Sequence, residues 1–127
     1  MDHFEDKDTT LTILNCCAVI GEGMKKGVIF DLLNNQPLRL SLKSKMQFIT
    51  NTEIANAIFN IIKYNLWNLE VNIVSKGNIM IQDVCNLLEM TPITINNELR
   101  VYEYVCDIDK LYIEPKKAEH YIREILK

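Results

Sequence analysis

The sequence lacks the features that mark a membrane span or an exported protein. No apolar run approaches the roughly 18 residues that a transmembrane helix needs. The N-terminal segment MDHFEDKDTT is acidic and polar, whereas a secretory signal begins with positive charge and a short apolar core. We therefore expect a cytoplasmic protein with no membrane partner.

Cysteine and histidine are too few and too poorly spaced to indicate a metal site. Cys16, Cys17, Cys85 and Cys106 include no CxxC pair, and the two histidines lie far apart in the chain. Zinc sites and nucleophilic thiols need partners that this spacing does not provide. We expect four reduced thiols, mostly buried, and neither a metal nor a small-molecule cofactor.

The glycine pattern does not match the common nucleotide-binding loops. Three of the four glycines fall in GEGMKKG, residues 21–27. This segment has neither the strand–GxGxxG–helix arrangement of a dinucleotide site nor the GxxxxGK[ST] of a phosphate loop, so we interpret it as a plain turn. Asp107 and Asp109 are paired carboxylates, but they lie in a predicted turn without a partner. The sequence therefore favours binding over catalysis, and we expect a protein that is not an enzyme.

The sequence does contain enough apolar residues for one globular domain. Of the 127 residues, 48% are apolar and 24% are charged. We expect a flexible acidic tail over residues 1–8 and a single domain over residues 9–127. The net charge is −3, but residues 24–63 hold six basic residues against two acidic ones, a balance of +4. A bound polyanion would contact this region first.

Apolar periodicity predicts several elements before residue 81. Residues 9–20 form an apolar, β-branched run that fits either a strand or a buried helix, and residues 28–34 fit a short helix. The alternation in PLRLSLK, residues 37–43, predicts a half-buried strand with a basic outer face. Residues 69–81 fit two short β segments around a turn-rich quartet, residues 75–78.

Two further helices are predicted from capping and packing signals. Thr50 and Glu53 have the S/T-x-x-E spacing of a capping box, which predicts a helix over residues 50–65. Pro115 suits the first position of a C-terminal helix. The stripe expected to pack in the first helix comprises Ile54, Ile58, Ile61 and Ile62. The face expected to pack in the second comprises Ala118, Tyr121, Ile122, Ile125 and Leu126.

The stretch IQDVCNLLEMTPITINNELR, residues 81–100, predicts two helices joined by a short turn. Residues 83–88 carry helical apolar spacing. Thr91-Pro92 then supplies a hydroxyl at the N-cap and proline at the first helical position. The second helix would pack through Ile95, Leu99 and Tyr102, which follow at i, i+4 and i+7.

This stretch resembles the helix-turn-helix of bacterial repressors and related regulators. In that family a small residue stands where Cys85 is and an aliphatic residue stands where Met90 is. A hydroxyl caps the second helix at Thr91 and an aliphatic residue anchors it at Ile95. The sequence departs from the family at Glu89, a turn position usually held by glycine. The resemblance implies a small α+β domain, mostly helical, with a winged-helix-like C-terminal half.

The resemblance also implies a DNA-binding regulator or accessory factor that acts as a homodimer. Asn pairs bidentately with adenine and Arg with guanine, so polar residues of the second helix would face the major groove. A two-stranded wing would follow in residues 104–113. The implied base contacts are Thr94, Asn96, Asn97 and Arg100, and the implied phosphate contacts are Lys43, Lys45 and Lys110.

Two alternatives stay open. Ile93, Ile95, Leu99 and Val101 also alternate around a central pair of asparagines, which fits a β-hairpin in an antiparallel meander. Residues 76–127 are net acidic, which disfavours a DNA partner. Under this alternative the chain is a protein–protein adaptor, or a small subunit or inhibitor of a larger complex.

Overall fold

A computed structural model describes residues 9–94, 101–103 and 116–126 of the chain. The helices in this part are α1 (Val28–Leu33), α2 (Asn51–Lys63), α3 (Ile81–Leu88) and α4 (Ala118–Glu124). The strands are β1 (Ile13–Cys16), β2 (Ala18–Ile20), β3 (Pro37–Leu38), β4 (Lys45–Met46), β5 (Phe48–Thr50), β6 (Glu70–Ile73), β7 (Ile79–Met80) and β8 (Ile93–Thr94). Within residues 9–20 the regular elements are therefore strands, β1 and β2, and not a buried helix.

Parallel ladders connect most of these strands. Strand β1 pairs with β6, β2 pairs with β5 and β3 pairs with β8, all in parallel, whereas β4 and β7 pair antiparallel. Parallel neighbours need a crossover, and here α1 lies between β2 and β5 in the chain while α2 lies between β5 and β6. This is an α/β arrangement. The predicted α+β class, mostly helical with a winged-helix-like half, is wrong because the crossovers bring distant strands together in parallel.

A hydrophobic core joins the strands to all four of these helices. Strand β5 contributes Phe48 and Ile49, which are fully buried, and α4 packs directly on this strand. Burial of such side chains supplies the main drive for folding. The other buried residues of the core are Ile20, Ile29, Leu32, Leu38, Ala57, Ile61, Val71, Ile73, Ile79, Ile81, Val84, Cys85, Ala118, Tyr121 and Ile122.

The predicted capping box correctly marks the start of α2, but the predicted packing stripe is only half correct, because Ile54 and Ile61 pack against the core while its other two members do not. Thr50 is the N-cap, and its Oγ1 accepts a hydrogen bond from the Glu53 N–H at 3.2 Å. The helix buries Ala57 and Ile61, whereas Ile58 and Ile62 are exposed. Because α2 is apolar over more than one face, periodicity could not choose the face that meets the core. Strand β5 leads directly into α2, so the pairing of β5 with β2 constrains which face of the helix meets the core.

The predicted strand over residues 37–43 ends much earlier. Only Pro37 and Leu38 are paired, after which the chain bends and turns. The turn is closed by a hydrogen bond from the Ser44 N–H to the Ser41 carbonyl at 3.0 Å. Leu38 is buried and Lys43 is exposed, as the alternation predicted, although the segment between them is not an extended strand.

The helix-turn-helix prediction is correct in its first half only. Helix α3 is present, and Glu89 ends it in the left-handed conformation at φ 54°, as the turn position requires. Ile93 and Thr94 then form β8, which pairs in parallel with Pro37 and Leu38. The predicted second helix is wrong at its start, because pairing with β3 outweighs the local signal of Thr91-Pro92.

Several expectations fall outside the described residues. Residues 95–100, the wing in residues 104–113 and Pro115 lie there, as does the acidic tail over residues 1–8. The hairpin alternative also stays untested, because its turn and its second strand fall in residues 95–101, most of which lie outside the described residues. The single domain over residues 9–127 stays a prediction.

The C-terminal helix packs largely as expected. In α4 the buried residues are Ala118, Tyr121 and Ile122, and Ile125 is half-buried beyond its end, but Leu126 is exposed. Among the helices in the described segments, none combines the length and the apolarity that crossing a membrane requires.

Candidate functional site

The carboxyl ends of two parallel strands meet at one place in this fold. Strand β2 ends at Ile20 and β5 ends at Thr50, and these two residues are register partners. The glycine-rich segment 21–27 follows β2, and α2 follows β5 directly. In α/β proteins ligands bind outside the carboxyl ends of parallel strands, so this is where a site is expected.

A close contact between the two strand ends shapes the site. The Asn51 side chain donates a hydrogen bond from Nδ2 to the Glu22 carbonyl at 3.0 Å. Gly21 has φ +144°, and a Cβ built there would overlap the Asn51 carboxamide, with Cγ only 2.7 Å away. Glycine is therefore required here both by the backbone conformation and by the approach of Asn51.

Three neighbouring cavities are lined in part by residues of segment 21–27, and adjacent ones share lining residues. We call these three cavities together the segment-21 groove. The largest, about 760 Å³, shares Gly21, Glu22, Met24 and Asn51 with a second of about 310 Å³. The second shares Lys25 and Lys26 with a third of about 390 Å³. The remaining lining residues are Leu33, Thr50, Thr52, Ala55, Glu124 and Ile125 in the first cavity, Val19, Ile20 and Gly23 in the second, and Gly27, Asp31, Gln36, Pro37 and Arg39 in the third.

The two ends of the segment-21 groove differ in charge. The third cavity is lined by Lys25, Lys26 and Arg39 against one carboxylate, Asp31. The first cavity is lined by hydroxyl and amide side chains of residues 50–52 and by the carboxylates of residues 22 and 124. One end can therefore hold an anionic group such as a phosphate, while the other can exchange hydrogen bonds with neutral hydroxyl groups.

The buried titratable groups lie elsewhere. Burial raises the pKa of Tyr121, and the fully buried Oη of this residue accepts a hydrogen bond from the Lys116 N–H at 3.2 Å. Burial also raises the pKa of the Cys85 thiol. Both residues belong to the core. Within residues 9–94, 101–103 and 116–126, no three His, Cys, Asp or Glu side chains gather as a metal site would require.

Of the predicted DNA-contact residues, the described structure contains only Lys43, Lys45 and the backbone of Thr94. Lys43 is exposed in a turn, and Lys45 is half-buried in β4, where its N–H donates to the Tyr102 carbonyl at 2.8 Å. The backbone of Thr94 belongs to β8. Neither lysine lines the segment-21 groove. The remaining predicted contacts, Asn96, Asn97, Arg100 and Lys110, lie outside the described residues.

Sequence reasoning placed Lys25 and Lys26 in the basic region of residues 24–63 that would contact a polyanion, but it did not single out the groove residues as a site. The signal for Lys25 and Lys26 was present, because two lysines stand within a glycine-rich segment directly after an apolar run. The signal for Asn51 was weaker. Its position beside Gly21 depends on the pairing of β2 with β5, which are separated by 27 residues of chain.

No protein-family model matches the chain, and comparison with curated proteins finds no match. Solved structures do match it. The UDP-glucuronic acid 4-epimerase of Bacillus cereus, solved with UDP-glucuronic acid and NAD, is 16% identical with a TM-score of 0.67, over 90% of this chain and 43% of that one. MoeE5, solved with UDP-glucose and NAD, is 14% identical with a TM-score of 0.72, over 91% and 45%. The UDP-glucose 4-epimerase of Thermotoga maritima, solved with UDP-glucose, is 17% identical with a TM-score of 0.62, over 93% and 47%.

These similarities define the class of fold. The chain has the Rossmann-type α/β fold that these epimerases contain, and it spans less than half of their length. The resemblance to helix-turn-helix and winged-helix regulators is therefore wrong.

The functional expectations drawn from that resemblance are corrected as well. A DNA-binding regulator and a protein–protein adaptor are both contradicted, as is the expectation that the chain is not an enzyme, because the matching structures are sugar epimerases. The expected DNA partner and the expected lack of a small-molecule cofactor are contradicted by structures solved with NAD and UDP-sugars. The individual DNA-contact residues are not tested by these similarities, but the partner for which they were chosen is not supported.

Proposed function

We propose that this chain is the sugar-nucleotide-binding part of an NAD-dependent sugar epimerase, and that it binds a UDP-sugar in the segment-21 groove. The observation that carries the proposal is the position of the groove. It lies at the carboxyl ends of paired parallel strands in a fold shared with structures solved with UDP-sugars. Sites at this edge of a parallel sheet are the rule for α/β proteins.

The charge distribution of the groove supports this class of ligand. A UDP-sugar is elongated, with an anionic diphosphate between a nucleoside and a neutral sugar. The end lined by Lys25, Lys26 and Arg39 suits the diphosphate. The end lined by Asn51, Thr52 and a pair of carboxylates suits sugar hydroxyl groups, since amides and carboxylates accept hydrogen bonds from them.

The glycine-rich segment does not fit NAD. A dinucleotide fingerprint has the form GxGxxG, with its third glycine where strand and helix pack closely. Here the spacing of Gly21, Gly23 and Gly27 is one residue longer than in the fingerprint, and a Cβ built at Gly27 would meet nothing within 4 Å. With only one further glycine, Gly77, the chain has no second candidate for the fingerprint. We therefore assign to these residues the binding and orientation of the sugar nucleotide, and no step of hydride transfer.

A cytoplasmic location is part of the proposal. Cys16 and Cys85 are free thiols, and Cys16 is exposed. Free exposed thiols fit a reducing compartment better than an oxidising one.

The proposal is tested by calorimetric titration of the whole chain with UDP and with UDP-glucose. We expect both to bind, with affinity that falls as salt rises. Each exposed lysine contact to a phosphate contributes up to about 1 kcal/mol, so Lys25→Ala combined with Lys26→Ala should weaken UDP binding by roughly 30-fold. The matched control is Lys43→Ala, an exposed lysine outside the groove, which should change the affinity less than about twofold.

Three results would count against the proposal. They are failure of both ligands to bind at millimolar concentration, an affinity unaffected by the double substitution, and an equal loss in the Lys43→Ala control. Circular dichroism of each variant would show that the fold is retained.

A further inference from the structure

The first cavity of the segment-21 groove is acidic, and no lining cation balances its charge. Among the described residues that line this cavity, Glu22 and Glu124 are the charged ones, and both are exposed. Lys, Arg and His are absent from the described part of this lining, whereas the third cavity is lined by three cations. A group bound in the first cavity therefore meets two carboxylates.

Hydrogen bonds fix the backbone of Glu22 at this cavity. Its carbonyl accepts the hydrogen bond from Asn51 Nδ2 at 3.0 Å, which ties it to the start of α2. The Met24 N–H donates to the Gly21 carbonyl at 3.3 Å and closes a turn around Glu22. Only glycine at position 21 allows the Asn51 carboxamide to approach this closely. The backbone that carries the Glu22 carboxylate is therefore anchored at the edge of the first cavity.

Glu124 reaches the same cavity from near the other end of the chain. It is the last residue of α4, and α4 packs directly on β5, the strand that leads into α2. Tyr121 and Ile122 of α4 are fully buried and fix the orientation of the helix. Packing of the core therefore places a second carboxylate at this cavity.

The start of α2 contributes charge of the opposite sign, but less of it. A helix N-terminus is equivalent to about half of an elementary positive charge. One of the free N–H groups at this end, that of Glu53, already donates to Thr50 Oγ1 at 3.2 Å. The two full negative charges of Glu22 and Glu124 outweigh this partial positive charge, so the electrostatic potential in the first cavity is negative.

The fold does not decide which sugar this cavity accepts. Proteins with this fold have been solved with UDP-glucose and with UDP-glucuronic acid, so the lining residues must decide between a neutral and an acidic sugar. The cations of the third cavity do not help an acidic sugar, because the negative charge of the bound diphosphate already offsets them.

We propose that the segment-21 groove selects UDP-sugars whose sugar carries no acidic group, an inference that rests on the proposed function. A uronic acid would place its carboxylate in the first cavity, where it faces Glu22 and Glu124 without a lining cation. Like charges repel, and the carboxylate also loses hydration when it binds. A neutral hexose instead donates hydrogen bonds from its hydroxyl groups to the same two carboxylates.

Calorimetric titration of the whole chain with UDP-glucose and with UDP-glucuronic acid tests the proposal. The two ligands differ only in the group at C6 of the sugar, which is a neutral hydroxymethyl group in one and a carboxylate in the other. At low salt we expect UDP-glucose to bind about tenfold more tightly, as repulsion from two exposed charges implies. This ratio of affinities should fall toward one as salt rises, because the Debye length shrinks from about 30 Å at 0.01 M to about 3 Å at 1 M.

Charge-neutral variants test whether the two carboxylates cause the preference. Glu22→Gln combined with Glu124→Gln keeps the size of both side chains and should bring the two affinities within about twofold of each other. Each single substitution should lower the ratio to roughly three, so the test does not depend on the double variant being folded. The matched control is Glu89→Gln, the same change at an exposed residue outside the groove, which should leave the ratio near ten.

The outcomes separate this inference from the proposed function. If UDP-glucose and UDP-glucuronic acid bind equally well at low salt, the inference about selectivity fails while the proposed function stands. The inference also fails if the preference persists in the glutamine variants, or if Glu89→Gln abolishes it. If neither UDP nor UDP-glucose binds, the proposed function fails and this inference fails with it.

Discussion

Truncation of two adjacent isoleucines in α2 tests the orientation of this helix against the core. Ile61 is 3% exposed and belongs to the core, whereas Ile62 is 58% exposed. The two residues have the same chemistry and the same helical context. Any difference between Ile61→Ala and Ile62→Ala therefore reports burial and little else.

The expected magnitudes follow from that burial. Removing three carbons from a buried isoleucine costs 2–5 kcal/mol, and about 3 kcal/mol is a central value. The higher helix propensity of alanine offsets roughly 0.4 kcal/mol of this loss of stability, and it does so equally in both variants. At about 4 °C per kcal/mol for a chain of this size, Ile61→Ala should lower the melting temperature by about 10 °C. Ile62→Ala should change the stability by less than about 0.5 kcal/mol.

Thermal and urea unfolding followed by circular dichroism would measure both variants under identical conditions. The m value, the slope of the unfolding free energy against urea concentration, should be the same for both variants. The midpoints of unfolding then compare their stabilities directly. Equal losses, or a larger loss for Ile62→Ala, would show that α2 packs through the stripe suggested by sequence periodicity. In that case Ile62 would be a core residue, and the orientation of α2 described above would be wrong.

Two further predictions concern the core around the groove. Ser75 is fully buried, and its Oγ accepts from the Phe48 N–H at 3.3 Å and donates to the Gly77 carbonyl at 3.1 Å. Ser75→Ala leaves both backbone groups without this partner and should cost about 2 kcal/mol in urea unfolding. Burial raises the pKa of Tyr121 above its ordinary 10.0, so the folded state holds the proton more tightly than the unfolded state. Stability should therefore fall as pH rises above about 10, and less steeply in Tyr121→Phe.

Controls make these two predictions decisive. Ser41→Ala removes a half-buried hydroxyl whose Oγ accepts from the Lys43 N–H, and should lower the free energy of unfolding by less than about 0.5 kcal/mol. Tyr64→Phe removes an exposed hydroxyl and should not change how steeply the unfolding free energy falls with pH above about 10. A Ser75→Ala variant as stable as Ser41→Ala would show that the buried hydroxyl is not needed by β5. If the fall of the unfolding free energy with pH is the same in Tyr121→Phe as in the unaltered chain, the phenol of Tyr121 does not differ in pKa between the folded and unfolded states.

Local signals predicted the elements whose ends are set by neighbouring residues. The capping box at Thr50 and Glu53 placed the start of α2 correctly, because the hydrogen bond between them spans only three residues. The apolar spacing in residues 83–88 placed α3 for the same reason. Segment 21–27 was correctly predicted as a loop, since its glycines adopt positive φ.

Predictions were wrong where the structure of a segment depends on pairing with residues far away in the sequence. Thr91-Pro92 has the chemistry of a helix start, yet Ile93 and Thr94 pair with Pro37 and Leu38, which lie more than 50 residues earlier. The pairing satisfies backbone groups that a helix would otherwise have satisfied locally. No pattern within residues 81–100 contains that information, and the DNA-binding hypothesis was built on this stretch.

The amino-acid order by itself determined the positions of α2 and α3, the distribution of charge between residues 24–63 and 76–127, and the lack of a GxGxxG fingerprint. These properties depend on neighbours within a few positions. Tertiary structure alone decided that β2 and β5 pair in parallel, that Asn51 meets Gly21 beside two lysines, and which side of α2 meets the core. The physical reason is that such contacts join residues tens of positions apart, and only the packing of the whole core selects among locally equivalent choices.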